Sequence, residues 1–139
     1  MAHWRPKNGP RPRSSLELAM EGLLTGMGLY FVPEKFLKGR RGGWACYDFW
    51  VTDGSTYSFL VEADGDWFHA RSWQEGVPGA KAPTSMQRRN VRNDRRKDRL
   101  AKELEYPLLR FFEKDVNTAP KRVVAAIMAE VERQKKGEA

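Results

Sequence analysis

The chain has 139 residues, with 25 Lys and Arg against 18 Asp and Glu, a formal charge of +7 and a pI near 9.8. It has the size of one ordinary domain, its apolar stretches fall short of the roughly 20 residues of a membrane span, and its cationic balance favours polyanionic partners, nucleic acid before anionic membrane. The single cysteine, Cys46, excludes an internal disulfide and the cysteine pairs of structural zinc sites, and it points to a reducing compartment.

Residues 1–14 carry Arg5, Lys7, Arg11 and Arg13 with three prolines and no acid, a composition that reads as a flexible basic arm without a secretory h-region. Ser14 or Ser15 is then placed to cap a helix. Its apolar positions Leu16, Met20, Leu23, Leu24 and Met27 share one face, and Gly26 and Gly28 mark its end. The stretch LYFVPEKFL reads as a strand interrupted by Pro33, and KGRRGG as a cationic turn carrying Arg40 and Arg41. WACYDFWV and STYSFLVEA are two antiparallel strands with a hairpin signal at Asp53-Gly54 between them. A polar loop from about Gly65 to Pro83 precedes a long helix, capped by Thr84 or Ser85 and running to about Glu105. From Ser85 to Glu103, eight Arg or Lys, Arg88 and Arg92 among them, stand against three acids. YPLLRFF is a short strand. Thr118 and Pro120 open a last helix whose buried stripe is Val123, Val124, Ile127, Met128 and Val131, and 136–139 form a disordered tail. The order α-β-β-β-α-β-α, without internal repeat, predicts one α/β domain over 15–135, a central mixed sheet flanked by helices.

Several polar residues sit where packing alone would not put them. Asp48 lies in an apolar strand, either on an exposed face or facing a cation. Glu62 and Asp64, two apart on the next strand, point to one face, as exposed carboxylates or as ligands of one hard cation with Asp48. His69, where the strand runs into the loop, is an ordinary loop histidine or a base able to take a proton from water. Trp67 and Phe68 beside it either plug the core or stack on bases. Asp94, among arginines, balances surface charge or accepts a hydrogen bond from His69. Glu17 and Glu21 share one face of the first helix, toward solvent or toward the site.

In combination, Asp48 in YDFWV, then VEADGDWFH, then RNVRNDRRKDRLAKEL and PLLRFF, resemble the Vsr-like (very-short-patch-repair-like) nucleases of the PD-(D/E)XK, restriction-endonuclease-like fold, over about Ser14 to Glu113. The set is also similar to the Glu-Asp-x-His-Asp constellation of phage-type homing endonucleases. The resemblance implies a DNA endonuclease using Mg²⁺ or Mn²⁺, with Asp48 as principal metal ligand and Glu62 and Asp64 beside it. It makes His69 the base or phosphate-activating histidine, Asp94 its acidic companion and Glu17 the first-helix glutamate. Trp67 and Phe68 would wedge into DNA, while Arg5, Arg11, Arg13, Arg40, Arg41, Arg88 and Arg92 would hold its backbone. The Glu-x-Lys of most PD-(D/E)XK nucleases appears as Glu62-Ala63-Asp64, which argues against a lysine-based mechanism, and the repair enzymes' structural zinc lacks ligands. A cytoplasmic monomer or homodimer, in a bacterial or phage-infected cell and without a small-molecule cofactor, is the implied setting. A non-catalytic nucleic-acid-binding protein on the same fold, or a nuclease for RNA or branched DNA, are the alternatives.

Overall fold

The computed structural model describes residues 14–137. Their elements are α1 (Ser15–Gly26), β1 (Phe31–Lys38), β2 (Trp44–Thr52), β3 (Ser58–Asp64), α2 (Arg71–Gln74), α3 (Ser85–Glu103), β4 (Leu108–Phe112), α4 (Glu113–Thr118) and α5 (Pro120–Lys135). The sheet has order β1-β2-β3-β4, antiparallel between the first three strands and parallel between β3 and β4. The mixed α/β architecture read from the sequence is present. The one-turn α2 and the short α4 are additions to the expected order, both too short for a hydrophobic period to reveal. None of the described helices is long and apolar enough to cross a membrane.

Ser14 starts α1 as expected, its hydroxyl accepting the Glu17 N–H at 3.1 Å, and Leu16, Met20 and Leu24 are buried on one face. With Val116 of α4 and Val123, Ile127 and Val131 of α5 they pack on Phe49, Val51, Phe59 and Val61. The other sheet face, with Leu37, Ala45, Tyr47 and Leu60, is covered by Leu100 and Ala101 of α3. Helices therefore shield both faces, in three layers.

The hairpin loop is longer than its Asp53-Gly54 signal suggested. Asp53 accepts the N–H groups of Ser55, Thr56 and Tyr57, which organises residues 53–57 as a side-chain-capped loop and sets Thr52 opposite Ser58. A two-residue turn would have paired Thr52 with Ser55. Carried down the strands, the observed register brings Asp48 level with Glu62.

β2 changes layers as it passes Asp48. Ala45 and Tyr47 face α3, whereas Phe49 and Val51 face α1 and α5, although all four are odd-numbered. Strict two-residue alternation would keep them on one face, so the backbone turns over between Tyr47 and Phe49. The β1–β2 ladder skips this level as well: Pro33 pairs with Phe49 and Lys35 with Tyr47, while Glu34 between them has φ +57. The interruption expected at Pro33 thus falls on Glu34, because Pro33 is tolerated on this edge strand and Glu34 takes up the left-handed conformation.

Candidate functional site

The carboxyl ends of the parallel strands β3 and β4 meet α3, and the chain's charged residues gather there. Asp64 ends β3. Gly65 follows, where a Cβ would lie 3.2 Å from the Phe68 ring, so a larger residue would have to push that ring aside. The turn continues with the His69 N–H donating to the Gly65 carbonyl at 3.1 Å and with Ala70 in the left-handed region at φ +48. Helix α3 fixes it from the side. Thr84 and Gln87 form a capping box at the helix start, Gln87 also donates to the Trp67 carbonyl at 2.5 Å, and Asn90 donates to the Phe68 carbonyl at 2.9 Å. One turn further along α3, the Asp94 carboxylate accepts a hydrogen bond from His69 Nδ1.

This bond fixes the imidazole: with Nδ1–H committed to a carboxylate, Nε2 is the free acceptor. Nε2 lies 3.9 Å from Asp64 Oδ1, beyond a direct hydrogen bond. Asp64, His69 and Asp94 each offer a ligand atom, all within 4.8 Å of one another. Arg110, from β4, reaches the same group. Its Nη1 lies 3.3 and 3.2 Å from the two Asp64 oxygens and 3.5 Å from Asp94 Oδ1, its Nη2 donates to the Asp94 carbonyl at 3.2 Å, and its Nε donates to Asp98 at 2.7 Å.

Charge and burial compete here. Burial pushes the Asp64 carboxyl above its ordinary range, against the pull of Arg110 and His69. For His69 burial acts downward, yet the Asp94 hydrogen bond and the Asp64 and Asp94 charges outweigh it and raise the imidazole above its ordinary value.

A second cluster lies beside the first. Asp48, at the point where β2 turns over, takes the Ala63 N–H on its carboxylate at 2.8 Å, continuing by side chain a ladder whose backbone pairing stops at Phe49 and Val61. Glu62 is buried and receives Lys97 Nζ from α3 at 2.5 Å. The Lys97 carbonyl in turn accepts the Tyr47 hydroxyl at 2.7 Å, and its ammonium lies 5.0 Å from the Tyr47 ring centre. Burial, and then the Asp48 charge, push the Glu62 carboxyl up to about 8; Lys97 opposes both and is outweighed in spite of its short contact.

Of the expected site residues, the fold thus unites Asp64, His69 and Asp94, and it sets Asp48 and Glu62 in the adjoining group. Glu17 is buried in the first turn of α1, in the layer opposite α3. Trp67 and Phe68 do not plug the core: they are 58% and 54% exposed, edge-to-face at 5.1 Å. Arg88 and Arg92 lie on an exposed α3 row that Arg95 and Arg99 extend. No side chain of these four, nor of Arg40 or Arg41, makes a hydrogen bond or ion pair among the described residues. The turn bearing Arg40 and Arg41 docks on α3, since a Cβ on Gly39 would lie 3.0 Å from Leu100 and Arg96 donates to the Trp44 carbonyl at 3.3 Å. Arg5, Arg11 and Arg13 fall outside the described residues.

Sequence reasoning overlooked Lys97 and Arg110. Lys97 was legible from spacing, because Gln87, Asn90, Asp94, Lys97 and Ala101 recur at three and four residues along the inward side of α3. Arg110, in the apolar PLLRFF, carries the same signal that singled out Asp48, a charge inside a strand. The chain matches no protein-family model, no curated protein and no solved structure.

Proposed function

We propose that this chain is a metal-dependent DNA endonuclease with a Vsr-like site on a restriction-endonuclease-like fold. The observation that carries the reading is that one helix, α3, presents Asp94 to His69 and Asp64 on one side and a row of unpaired arginines to solvent on another. A protein that only bound phosphates would gain nothing from carboxylates beside them, since these repel the ligand. The mixed sheet, with acids on β2 and β3 and helices on both faces, is consistent with the proposed fold.

Asp64 and Asp94 present hard oxygen donors, and a buried carboxyl held above its ordinary range is one that a cation would ionise, so the donor set fits Mg²⁺ or Mn²⁺. Such an ion, when bound, polarises a scissile phosphate and stabilises the leaving oxygen. His69, with Nδ1 held by Asp94, keeps Nε2 for the proton of an attacking water. Arg88, Arg92, Arg95 and Arg99 bind the backbone, which gives affinity without sequence information. Trp67 and Phe68, at the α3 N-terminal end, offer aromatic faces to bases.

The test is supercoiled plasmid incubated with the protein and Mg²⁺ or Mn²⁺, with and without chelator. Nicked or linear product that chelator abolishes is expected. His69→Ala is expected to lower the single-turnover rate by roughly a hundredfold to ten-thousandfold with DNA affinity retained. Tight DNA binding without cleavage under any divalent ion would replace the proposal by that of a non-catalytic binder.

A further inference from the structure

Arg110 occupies the position that a bound cation would compete for. Its guanidinium faces Asp64 and Asp94, two of the three residues whose donor atoms converge, and both its Asp64 contacts, at 3.2 and 3.3 Å, are long for charge-assisted hydrogen bonds. Its approach to Asp94 Oδ1 is longer, at 3.5 Å. The short bond, at 2.7 Å, goes to Asp98, which belongs to neither cluster and whose side chain is 51% exposed. The side chain is therefore anchored outside the convergent set and only loosely held by it. Guanidinium cannot lose its proton in this setting, so its charge leaves Asp64 and Asp94 only if the side chain moves.

Resting on the metal-dependent reading above, we propose that Arg110 is the built-in counterion of the Asp64–His69–Asp94 site and sets its divalent-ion affinity, with Asp98 as the resting place that lets the guanidinium withdraw when an ion binds. In the ion-free protein Arg110 neutralises the buried Asp64 and the partly buried Asp94 carboxylates, which would otherwise repel each other. When Mn²⁺ or Mg²⁺ enters, two cations compete for Asp64. The guanidinium keeps its Asp98 bond and gives up its weaker partners. Arg110 is a positioning residue in this account, and the affinity of the site is the difference between ion binding and the cost of displacing the guanidinium.

The experiment is Mn²⁺ binding, measured by calorimetry and by the electron-spin-resonance signal of free Mn²⁺, on the full chain without DNA, so that no readout depends on cleavage. Arg110→Gln is expected to tighten Mn²⁺ binding by at least about tenfold, because a unit charge a few ångströms from the ion is removed. Asp98→Asn, at an exposed position that does not threaten folding, is expected to weaken Mn²⁺ binding several-fold, because the guanidinium loses its alternative partner and stays on Asp64. In the Arg110→Gln background the same Asp98→Asn change is expected to have no effect, since the coupling runs through Arg110. Unchanged affinity in Arg110→Gln, or in Asp98→Asn should the first variant fail to fold, overturns the counterion role while leaving a metal site in place. Equal weakening by Asp98→Asn in both backgrounds overturns it too. Absence of Mn²⁺ binding in the wild type and in every folded variant overturns the metal-dependent reading, and this inference with it.

Discussion

Glu62→Gln tests the electrostatics of the second cluster, and the magnitude follows from the structure. The ordinary value for the carboxyl is 4.5 and the folded protein holds it at about 8, through burial first and the neighbouring Asp48 charge second. Between those two values the unfolded chain has released the Glu62 proton and the folded chain has kept it. The folded state therefore binds more protons, and its stability falls as pH rises through the window. The slope is at most roughly 1.4 kcal/mol per pH unit, and over the whole window the loss approaches about 5 kcal/mol. Glutamine reproduces the shape and the acceptor oxygen of the protonated acid and cannot ionise. Its effect should be small at pH 5 and stabilising by several kcal/mol at pH 8, where wild-type Glu62 is about half ionised and the unfolded chain has released the proton. Urea unfolding with chelator present, at unit intervals from pH 5 to pH 8, gives both curves. Two parallel curves would refute the argument. They would mean that Lys97 dominates and that Glu62 is an ordinary ionised partner in a buried salt bridge, in which case Glu62→Gln would be destabilising at every pH by the cost of an unpaired Lys97.

Two further expectations concern the proposed reaction and its substrate. Asp94→Asn should slow single-turnover cleavage less than His69→Ala, and the double variant should lose less than the sum of the two, because Asp94 holds the imidazole as well as offering a donor oxygen; full additivity would mean that Asp94 and His69 act independently. Replacing Arg92 and Arg95 by Gln should weaken binding on every duplex sequence alike and lower the log–log salt slope by about one unit for each phosphate no longer neutralised, whereas an unchanged slope would leave the arginine row solvated and idle.

The three long helices and the strands were legible because their signals are local. Ser14 and Thr84 cap where expected, Leu16, Met20 and Leu24 share a face, and the apolar strands pair in chain order. What was not legible depends on long-range pairing. The expectation that sets Asp48 beside Glu62 rests on a turn at Asp53-Gly54 that is in fact longer, and the layer change of β2 comes with Glu34 adopting φ +57 in a neighbouring strand, which no window around Asp48 contains. Lys97 is another case: spacing puts it on the inward side of α3, but not that its Nζ meets Glu62, 35 residues away in sequence. A motif read as consecutive residues cannot report a side chain delivered by a different element.

Helix α3 explains why a charge-rich segment that looks uniform in sequence separates into different roles. Val91, Leu100 and Ala101 are buried on its inner side. Next to them, Gln87 and Asn90 hold the turn that carries His69, Asp94 fixes the imidazole, and Lys97 meets Glu62. Arg88, Arg92, Arg95 and Arg99, spaced four, three and four residues apart, are left on the solvent side with no acid to answer them. A surface helix that served only solubility would intersperse both signs along that side. This one instead directs Asp94 inward and Asp98 toward Arg110 and leaves the outer row from Arg88 to Arg99 to one sign, with Glu103 only at its C-terminal end. The geometry of a single helix thus sets a cationic surface next to a His–carboxylate pair while holding the two apart, so that the acids do not cancel the arginines and the arginines do not occupy the acids. Arg110, from β4 rather than α3, is the exception.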